Sequence, residues 1–479
     1  MSTASVPSMV QAVTSHNWVG SAQLYNLLKP QYDSKLYKAL GDQNMTGLMN
    51  ELGGWNPISG IEYMHSEELW LHEVVKCDAS VYVVAPNVAQ TLTVGVDYEY
   101  VWPAGAISPY LSVPTPPTTM GGTTNPVRLQ DTIKFPNGVE AQVTGISGST
   151  FTVMPVVSGE SIPAVLTTDT LIITGNAHQE GTDQPLSQAR RVSRYVNSMQ
   201  ILKESNKSTG TSLGEEIWVE VEGLNGQMGY LYYYKGQHDA YRASRNLREV
   251  ALITGKKVTN TTLTGTQPTL TKTEGMIPFV QNYGNTTTYN AVTGITKADW
   301  QTMTTDQIDK YRGAKENAVY SGIQLRTGID NFVSIEMKNG GVQYGAFSGG
   351  KDQFVNFSFD SFMVQGYTYH LKTYDVFNYK NMLGAAGQTY VQSAVVIPMD
   401  KGVHSFGPDD KKETVPSIRM NYVSQSKAGG TYSRDWEEWP TGGANGVYTN
   451  ESDSLQINWR SHFGFEGFAP GRFCWVTPA

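Results

Sequence analysis

Cysteine is almost missing from this chain of 479 residues: Cys77 and Cys474 are the only two, and they lie far apart. That rules out a disulfide framework and any Cys-x-x-Cys metal or redox site, and predicts two reduced thiols. Charge is scarce as well, at 16% of residues against roughly 25% in a typical soluble domain. Basic residues do not dominate, and the formal net charge is −8. A protein that grips phosphates or reads nucleic-acid sequence is usually basic, so that class is disfavoured. Enclosing nucleic acid without gripping it is not. No run approaches the roughly 18 apolar residues of a membrane-spanning helix. The opening stretch MSTASVPSMVQAVTSHNW lacks a basic start and an apolar core, so no secretory signal is expected there. No repeat of fixed period occurs.

Glycine (48), tyrosine (27) and tryptophan (10) are plentiful. Low charge with many aromatic and small polar residues suits a surface covered by other proteins. It suits an ordinary β-rich protein equally well. The length allows about two to four domains, and a core of that size needs no disulfide or metal staple.

Residues 1–60 read as an arm. Gln23–Leu28, Gln31–Leu40 and Gln43–Leu52 are short helical stretches, cut by Pro30, Gly41 and Gly53-Gly54. Residues 60–85 read as extended. Residues 86–175 alternate between apolar and polar, with turn signals at Asn137-Gly138 and Ser147-Gly148-Ser149. They predict an antiparallel module of about four to six strands, a small barrel inserted into a loop spanning 60–200. Next comes a strand-like run, Tyr195 to Leu202, and a polar stop, Ser205 to Ser212. The segment from 213 to about 255 has a helical apolar stripe, weakened by Gly226, Gly229 and Gly236, so the clean helix is expected to begin near Gln237. Gly255-Lys256-Lys257 suits a helix C-terminus. Residues 256–290 are expected to be exposed. Thr296–Arg312 predicts an amphipathic helix with Thr296 as N-cap and Asp299 as its capping-box acid. From Asn331 onward strands are expected, beginning with NFVSIEM and including QSAVVIPMD, SIRMNYV, SLQINWRSHFGFEGF and RFCWVTP.

The chain shows no convincing catalytic constellation. His65 and His72 stand among Glu67, Glu68 and Glu73 without an HExxH pair, so a solvated or interface face is the simpler reading. Gly255-Lys256-Lys257 lacks the rest of a phosphate loop and sits at the wrong end of a helix. GxSxG and GxGxxG do not occur. His462 and Glu466 could form an acid–base pair, but no nucleophile is near them in sequence, and a structural histidine is the simpler reading. No catalytic, cofactor-binding or metal residues are therefore expected, and no enzyme. Arg190, Arg191 and Arg194 form a basic cluster near Lys203 and Lys207. It reads as a contact of an extended arm with a partner subunit or nucleic acid, or as a charged strand edge that discourages aggregation. Trp70, Trp102, Trp436, Trp439 and Trp459 are candidate interface anchors, or ordinary core residues.

The run NSMQILKESNKSTGTS resembles the arm-to-helix signature of the major capsid proteins of tailed bacteriophages, which have the Hong Kong 97 fold. Asn197, Gln200, Ile201, Thr209, Gly210 and Thr211 occupy the corresponding places. The module around LQDTIKFPNGVEAQVTGISGSTFTV looks like the β insertion some of these proteins carry. The C-terminal third is similar to capsid proteins of crAss-like phages of gut Bacteroidales. The resemblance implies an α+β Hong Kong 97-type capsid fold with a long spine helix, an extended loop, axial and peripheral domains and a small inserted β-barrel-like domain. Its divisions would be an N-terminal arm (1–60), an extended loop (61–205) holding the inserted domain (about 86–175), a peripheral domain with the spine helix (206–290), an axial domain (291–400), and a return to the peripheral domain (401–479). The implied function is self-assembly into hexamers and pentamers of an icosahedral head around double-stranded DNA. The implied partners are other copies, a portal protein at one vertex and auxiliary or decoration proteins, with no membrane and no cofactor. The N-terminus lacks the long charged helical segment that serves some relatives as a fused scaffold, so a separate scaffolding protein is expected unless a processed precursor segment has been removed. Residence in the virion after assembly in the host bacterial cytoplasm is implied too. Arg190, Arg191, Arg194, Trp70 and Trp102 become inter-subunit contact candidates. No Lys or Asn matches the isopeptide crosslink of some relatives. The rival readings are a β-rich, glycan-binding surface protein and a non-viral nanocompartment shell of the same fold.

Overall fold

A computed structural model describes residues 54–68, 74–78, 85–94, 127–148, 150–166, 169–181, 184–185, 192–222, 228–258, 271–308, 313–339, 360–379, 386–399, 403–406, 412–427, 430–444 and 446–479. The three expected helical stretches of the arm lie outside these residues, as do Trp70, His72, Trp102, Arg190 and Arg191.

The chain enters through β1 (Gly54–Ile58), β2 (Glu62–Glu68) and β3 (Val74–Lys76). Then β4 (Gln90–Thr93), β5 (Asp131–Lys134), β6 (Glu140–Ser147), β7 (Thr150–Pro155) and β8 (Thr170–Asn176) join β3 in a six-stranded antiparallel sheet, ordered β3-β8-β5-β6-β7-β4. Its two edges meet. Cys77 bridges to Val94, and the Asp78 N–H donates to the Thr93 carbonyl at 3.0 Å. Strict alternation makes this closure possible: Phe151 and Val153 on β7 are buried, whereas Thr150, Thr152 and Met154 are not. Val75, Leu92, Ile133, Val143 and Leu171 fill the same core, which is separate from the rest of the molecule. Gly138 (φ +91°) and Gly148 (φ +59°) make the left-handed turns that join β5 to β6 and β6 to β7.

The chain leaves this module through β9 (Val192–Ser198), which pairs antiparallel with β2 from Glu62–Ser198 to Glu68–Val192. After Met199 it continues as β10 (Gln200–Thr209). The polar run from Ser205 does not stop the strand, contrary to expectation. A ladder is held by backbone groups, and β10 stays in register with β23 (Ser454–Gly467) from Gln200–Phe463 to Thr209–Ser454. It ends at Gly210, where a Cβ would lie 2.0 Å from Asp453 Oδ1.

The expected helix from 213 is also corrected. Among the described residues, β11 (Glu216–Glu222) and β12 (Met228–Leu231) form an antiparallel pair, and the α-helix, α1, runs from Tyr232 to Thr254. EIWVEVE alternates with period two, and that pattern prevails over the weaker helical stripe. Gly236 lets α1 approach β10, since a Cβ there would be 3.0 Å from Asn206 Nδ2. Next, α2 (Met276–Tyr283) buries Met276, Ile277, Phe279 and Val280. That overturns the expectation of exposure for this part of 256–290: those four residues are core, and only Gln281 and Asn282 of the helix face outward.

A second six-stranded sheet is mixed and ordered β13-β24-β17-β14-β16-β15. Its strands are β13 (Asn285–Tyr289), β14 (Glu316–Ser321), β15 (Ser361–Val364), β16 (Tyr367–Thr373), β17 (Ala394–Pro398) and β24 (Cys474–Pro478). All five residues of β17 are buried. Val395 and Ile397 face the core shared with α2, and Ala394 and Val396 face a second core around Trp300 and Tyr369. The latter is covered by α3 (Lys297–Thr302), by a π-helical turn (Met303–Ile308) and by α4 (Ile323–Asn339). Thr296 and Asp299 form the expected capping box. NFVSIEM is helical rather than a strand, because Leu325, Ile329, Phe332 and Val333 put one apolar stripe on this core. Two short helices follow, α5 (Asp375–Asn378) and α6 (Ala386–Val391).

The remaining strands are β18 (Val403–Phe406) and β19 (Lys412–Val415), which pair together, then β20 (Ile418–Lys427), β21 (Gly430–Ser433) and β22 (Glu437–Gly442). The sheet that carries β10 runs β1-β20-β23-β10, with β21 on β20 and β22 on β23. Its inner face packs on α1 and α2 through Leu252, Phe279, Met420, Phe463 and Phe465.

Candidate functional site

The β2–β9 stem meets the body at one polar cluster. Alternation along β2 turns Tyr63, His65 and Glu67 inward and leaves Glu62, Met64 and Ser66 exposed. His65 Nδ1 lies 3.0 Å from Glu466 Oε1 on β23, and its Nε2 lies 3.2 Å from Glu67 Oε1. A carboxylate only accepts hydrogen bonds, so an imidazole held between two of them donates from both nitrogens and is the cation. Burial works against that charge, but the hydrogen bonds to Glu466 and Glu67 outweigh it and raise the His65 pKa. The ring stacks on Tyr195 (5.3 Å between centroids) and tilts against Phe468 (4.6 Å).

Glu466 accepts from Arg419 Nε and Asn421 Nδ2, each at 2.7 Å, in addition to His65. Burial alone would raise its pKa, yet His65, Arg419 and Asn421 hold it down at about 2. Asn56 on β1 donates to Asn421 Oδ1 at 2.8 Å, and Glu67 accepts from the Ala469 N–H at 2.7 Å. Four strands are thereby tied together: β1, β2, β20 and β23.

Asn197 on β9 is the second knot. Its Nδ2 faces the Phe465 carbonyl (2.7 Å), the Glu274 carbonyl (3.0 Å) and Thr273 Oγ1 (3.2 Å). Its Oδ1 accepts from the Ser198 and Glu274 N–H groups, both at 2.8 Å. Tyr63 donates to the Phe465 carbonyl, and Lys257 donates to the Val196 carbonyl. Burial lowers the Lys257 pKa and raises that of Glu274, which accepts from Asn282 Nδ2 at 2.7 Å. Chemically this cluster is an anchor: its charged side chains are engaged with one another, and it contains no Ser or Cys nucleophile set against a base.

The structure brings His65 to Glu466, across 401 residues of sequence, and does not pair Glu466 with His462. His462 lies beside Arg434 Nη1 at 3.3 Å. Burial, with Arg434 and Arg460 nearby, pushes its pKa down to about 4. Arg194 lies on β9 opposite Ser66. Among the other candidates, Trp459 is core, 1% exposed, and Trp436 packs edge-on to Tyr241 beneath Arg248. Cys77 and Cys474 are buried and not joined in a disulfide, and burial pushes each thiol up to about 12. Among the described residues no His, Cys, Asp and Glu side chains cluster so as to hold a metal ion, and no helix is long and apolar enough to cross a membrane. Sequence reasoning missed Tyr63, Arg419 and Asn421. Asn197 was noticed only through a motif, although an Asn inside an otherwise strand-forming run is itself a signal of a buried hydrogen-bonding hub.

Comparison with known proteins then identifies the family. The SU10 major capsid protein family matches residues 16–364, well over half of the chain. No curated protein matches it. Among solved structures, the capsid of the cyanophage P-SCSP1u is 9% identical, covering 97% of this chain and 99% of its own, with a TM-score of 0.41. A chain of Microbacterium phage Oxtober96 is 9% identical, covering 96% of this chain and 99% of its own, at 0.40. A chain from the capsid of a native GTA particle is 8% identical, covering 97% and 100%, at 0.38. The match along residues 16–364 carries the assignment: the chain belongs to the SU10 major capsid protein family and is a structural, shell-forming protein of a phage head.

Proposed function

We propose that this chain has the Hong Kong 97-type architecture and tiles as hexamers and pentamers into an icosahedral head around double-stranded DNA. The observation that carries this is the capsid-family match over residues 16–364. The divisions that follow are an arm (1–60), an extended loop (61–205) with an inserted β domain (about 86–175), a peripheral domain with the spine helix (206–290), an axial domain (291–400) and a peripheral return (401–479). Two features support them. A module with its own core hangs on the β2–β9 stem, and β20 and β23 rejoin the sheet of β10 after the long excursion through residues 291–400. The C-terminal similarity to crAss-like phages supports a place among them. A portal protein at one vertex, a separate scaffolding protein and decoration proteins are the other proposed partners, with assembly in the bacterial cytoplasm. Arg190, Arg191, Arg194, Trp70 and Trp102 are the proposed inter-subunit contacts. The family match favours the phage shell over a nanocompartment and lends nothing to the glycan-binding reading.

Large interfaces are the physical requirement. Burying about 1,000 Å² of apolar surface contributes roughly 25 kcal/mol before ordering costs, and several neighbours multiply modest contacts. Expression followed by sizing and electron microscopy tests the reading. Closed particles with five- and six-fold capsomers are expected, and a monodisperse protomer under all assembly conditions overturns it. Replacing Arg190, Arg191 and Arg194 together by Glu should leave a folded protomer that forms no ordered shells. Normal particles from that variant would remove those arginines from the contact.

A further inference from the structure

Glu274 is buried with most of its hydrogen-bonding capacity unused. It stands on the turn that leads into α2 and is 3% exposed. A carboxylate offers about four acceptor positions. Among the described residues that of Glu274 takes one hydrogen bond, from Asn282 Nδ2 at 2.7 Å. Glu466, buried to the same degree, accepts from three side chains, His65, Arg419 and Asn421. The nearby ammonium of Lys257 donates to the Val196 carbonyl instead of to Glu274. A buried acceptor without a donor is costly, and burial raises the Glu274 pKa accordingly.

Room for a donor lies beside it. A cavity of about 10 Å³ sits at the root of the stem, bounded by Glu274, Asn197, Tyr63 and Tyr283, with Phe279 and Phe465 as apolar walls. None of the residues that line it is exposed. That volume admits a single water and nothing larger. A buried water needs at least two polar partners, and a second one is present. The Tyr283 hydroxyl makes no hydrogen bond among the described residues, yet it lies in the field of Glu274, which with burial raises its pKa.

Charge chooses the occupant. A cation would be repelled by two that are already there: Lys257, which acts on Glu274, and His65, held between Glu67 and Glu466. An anion would face Glu274 and Glu466 together. An apolar occupant would leave the Glu274 carboxylate as it is. We propose that the root of the stem holds one structural water, which donates to Glu274 and accepts from the Tyr283 hydroxyl. The water then belongs to the joint between stem and body. The Glu274 N–H holds Asn197 Oδ1 of β9 at 2.8 Å, so a bridge that fixes the Glu274 side chain steadies the residue that grips the stem. The site lies within one copy and stands whether or not copies assemble.

The test is a structure of the full chain, by crystallography or electron microscopy, at a resolution that shows ordered water. One peak is expected in the cavity, about 2.5–3.0 Å from a Glu274 carboxylate oxygen and from the Tyr283 hydroxyl. A cavity without density, in a map that shows other buried waters, overturns the proposal. So does a peak ringed by about six oxygens at roughly 2.0–2.6 Å, which is a metal ion. A double-mutant cycle checks the bridge in solution. Tyr283→Phe should lower the melting temperature by about 1–2 °C in the ordinary chain and leave it unchanged in a Glu274→Leu background, where the water has lost its main partner. Equal shifts in both backgrounds overturn the bridge. If Glu274→Leu does not fold, the density alone decides.

Discussion

His65 and Glu466 hold each other in opposite protonation states, and their pH responses have opposite signs. The folded pKa of His65 is raised above 6.5, so its stabilisation is complete below that value and is lost as the pH rises through the folded one. Glu466 falls from 4.5 to about 2, so its stabilisation is complete above 4.5 and is lost as the pH falls towards 2. The stem is therefore clamped most firmly between pH 4.5 and 6.5. His462, held down at about 4, adds stability as the pH rises from there to 6.5, so thermal melting of the protomer should peak near pH 6.5 and decline on the alkaline side. In His65→Gln the alkaline decline should vanish, and an unchanged alkaline limb would show that the histidine is not its cause. Glu466→Gln removes the anion shared by His65 and Arg419, and should destabilise the protomer by about 3 kcal/mol in denaturant titration. None of this was legible in sequence. His65 stood out only for its neighbour His72, and Glu466 only for His462, whereas the real partners are joined by strand pairing between distant segments.

At the scale of elements, legibility followed the strength of local signals. Thr296 with Asp299 is such a signal, because a capping box is completed within four residues. Thr296→Ala should cost about 1 kcal/mol, measurable as a lower melting temperature, since α3 then loses its N-terminal acceptor. The period-two pattern of TFTVMP and the all-apolar run AVVIP needed no partner to be read as strands. Other segments carried two periodicities at once. NFVSIEM alternates well enough for a strand, and only Leu325 and Ile329, lying earlier on the same helix face, decide for α4. EIWVEVE was drawn into a helix by the stripe beyond it. For residues 205–209 polarity was misleading, because β23 supplies the hydrogen bonds that hold β10 straight.

At the scale of the whole molecule, two cores form the body and a third forms a module apart from it, connected by the β2–β9 stem. A subunit so built keeps its bodies stable while offering an outlying surface to neighbours, which is what a shell protein requires.

Composition and local pattern alone determined that this is a large, weakly charged, β-rich chain without a disulfide framework, with an alternating module in its first half and a capped helix near its middle. These are properties of short windows, settled by turn chemistry, periodicity and counts. Tertiary structure alone decided which polar residues are buried together, that β10 continues past its polar stop, and that Met276, Ile277, Phe279 and Val280 lie inside. Each of those depends on a partner that arrives from a remote part of the chain, and a linear reading has no access to that partner until the sheets have formed.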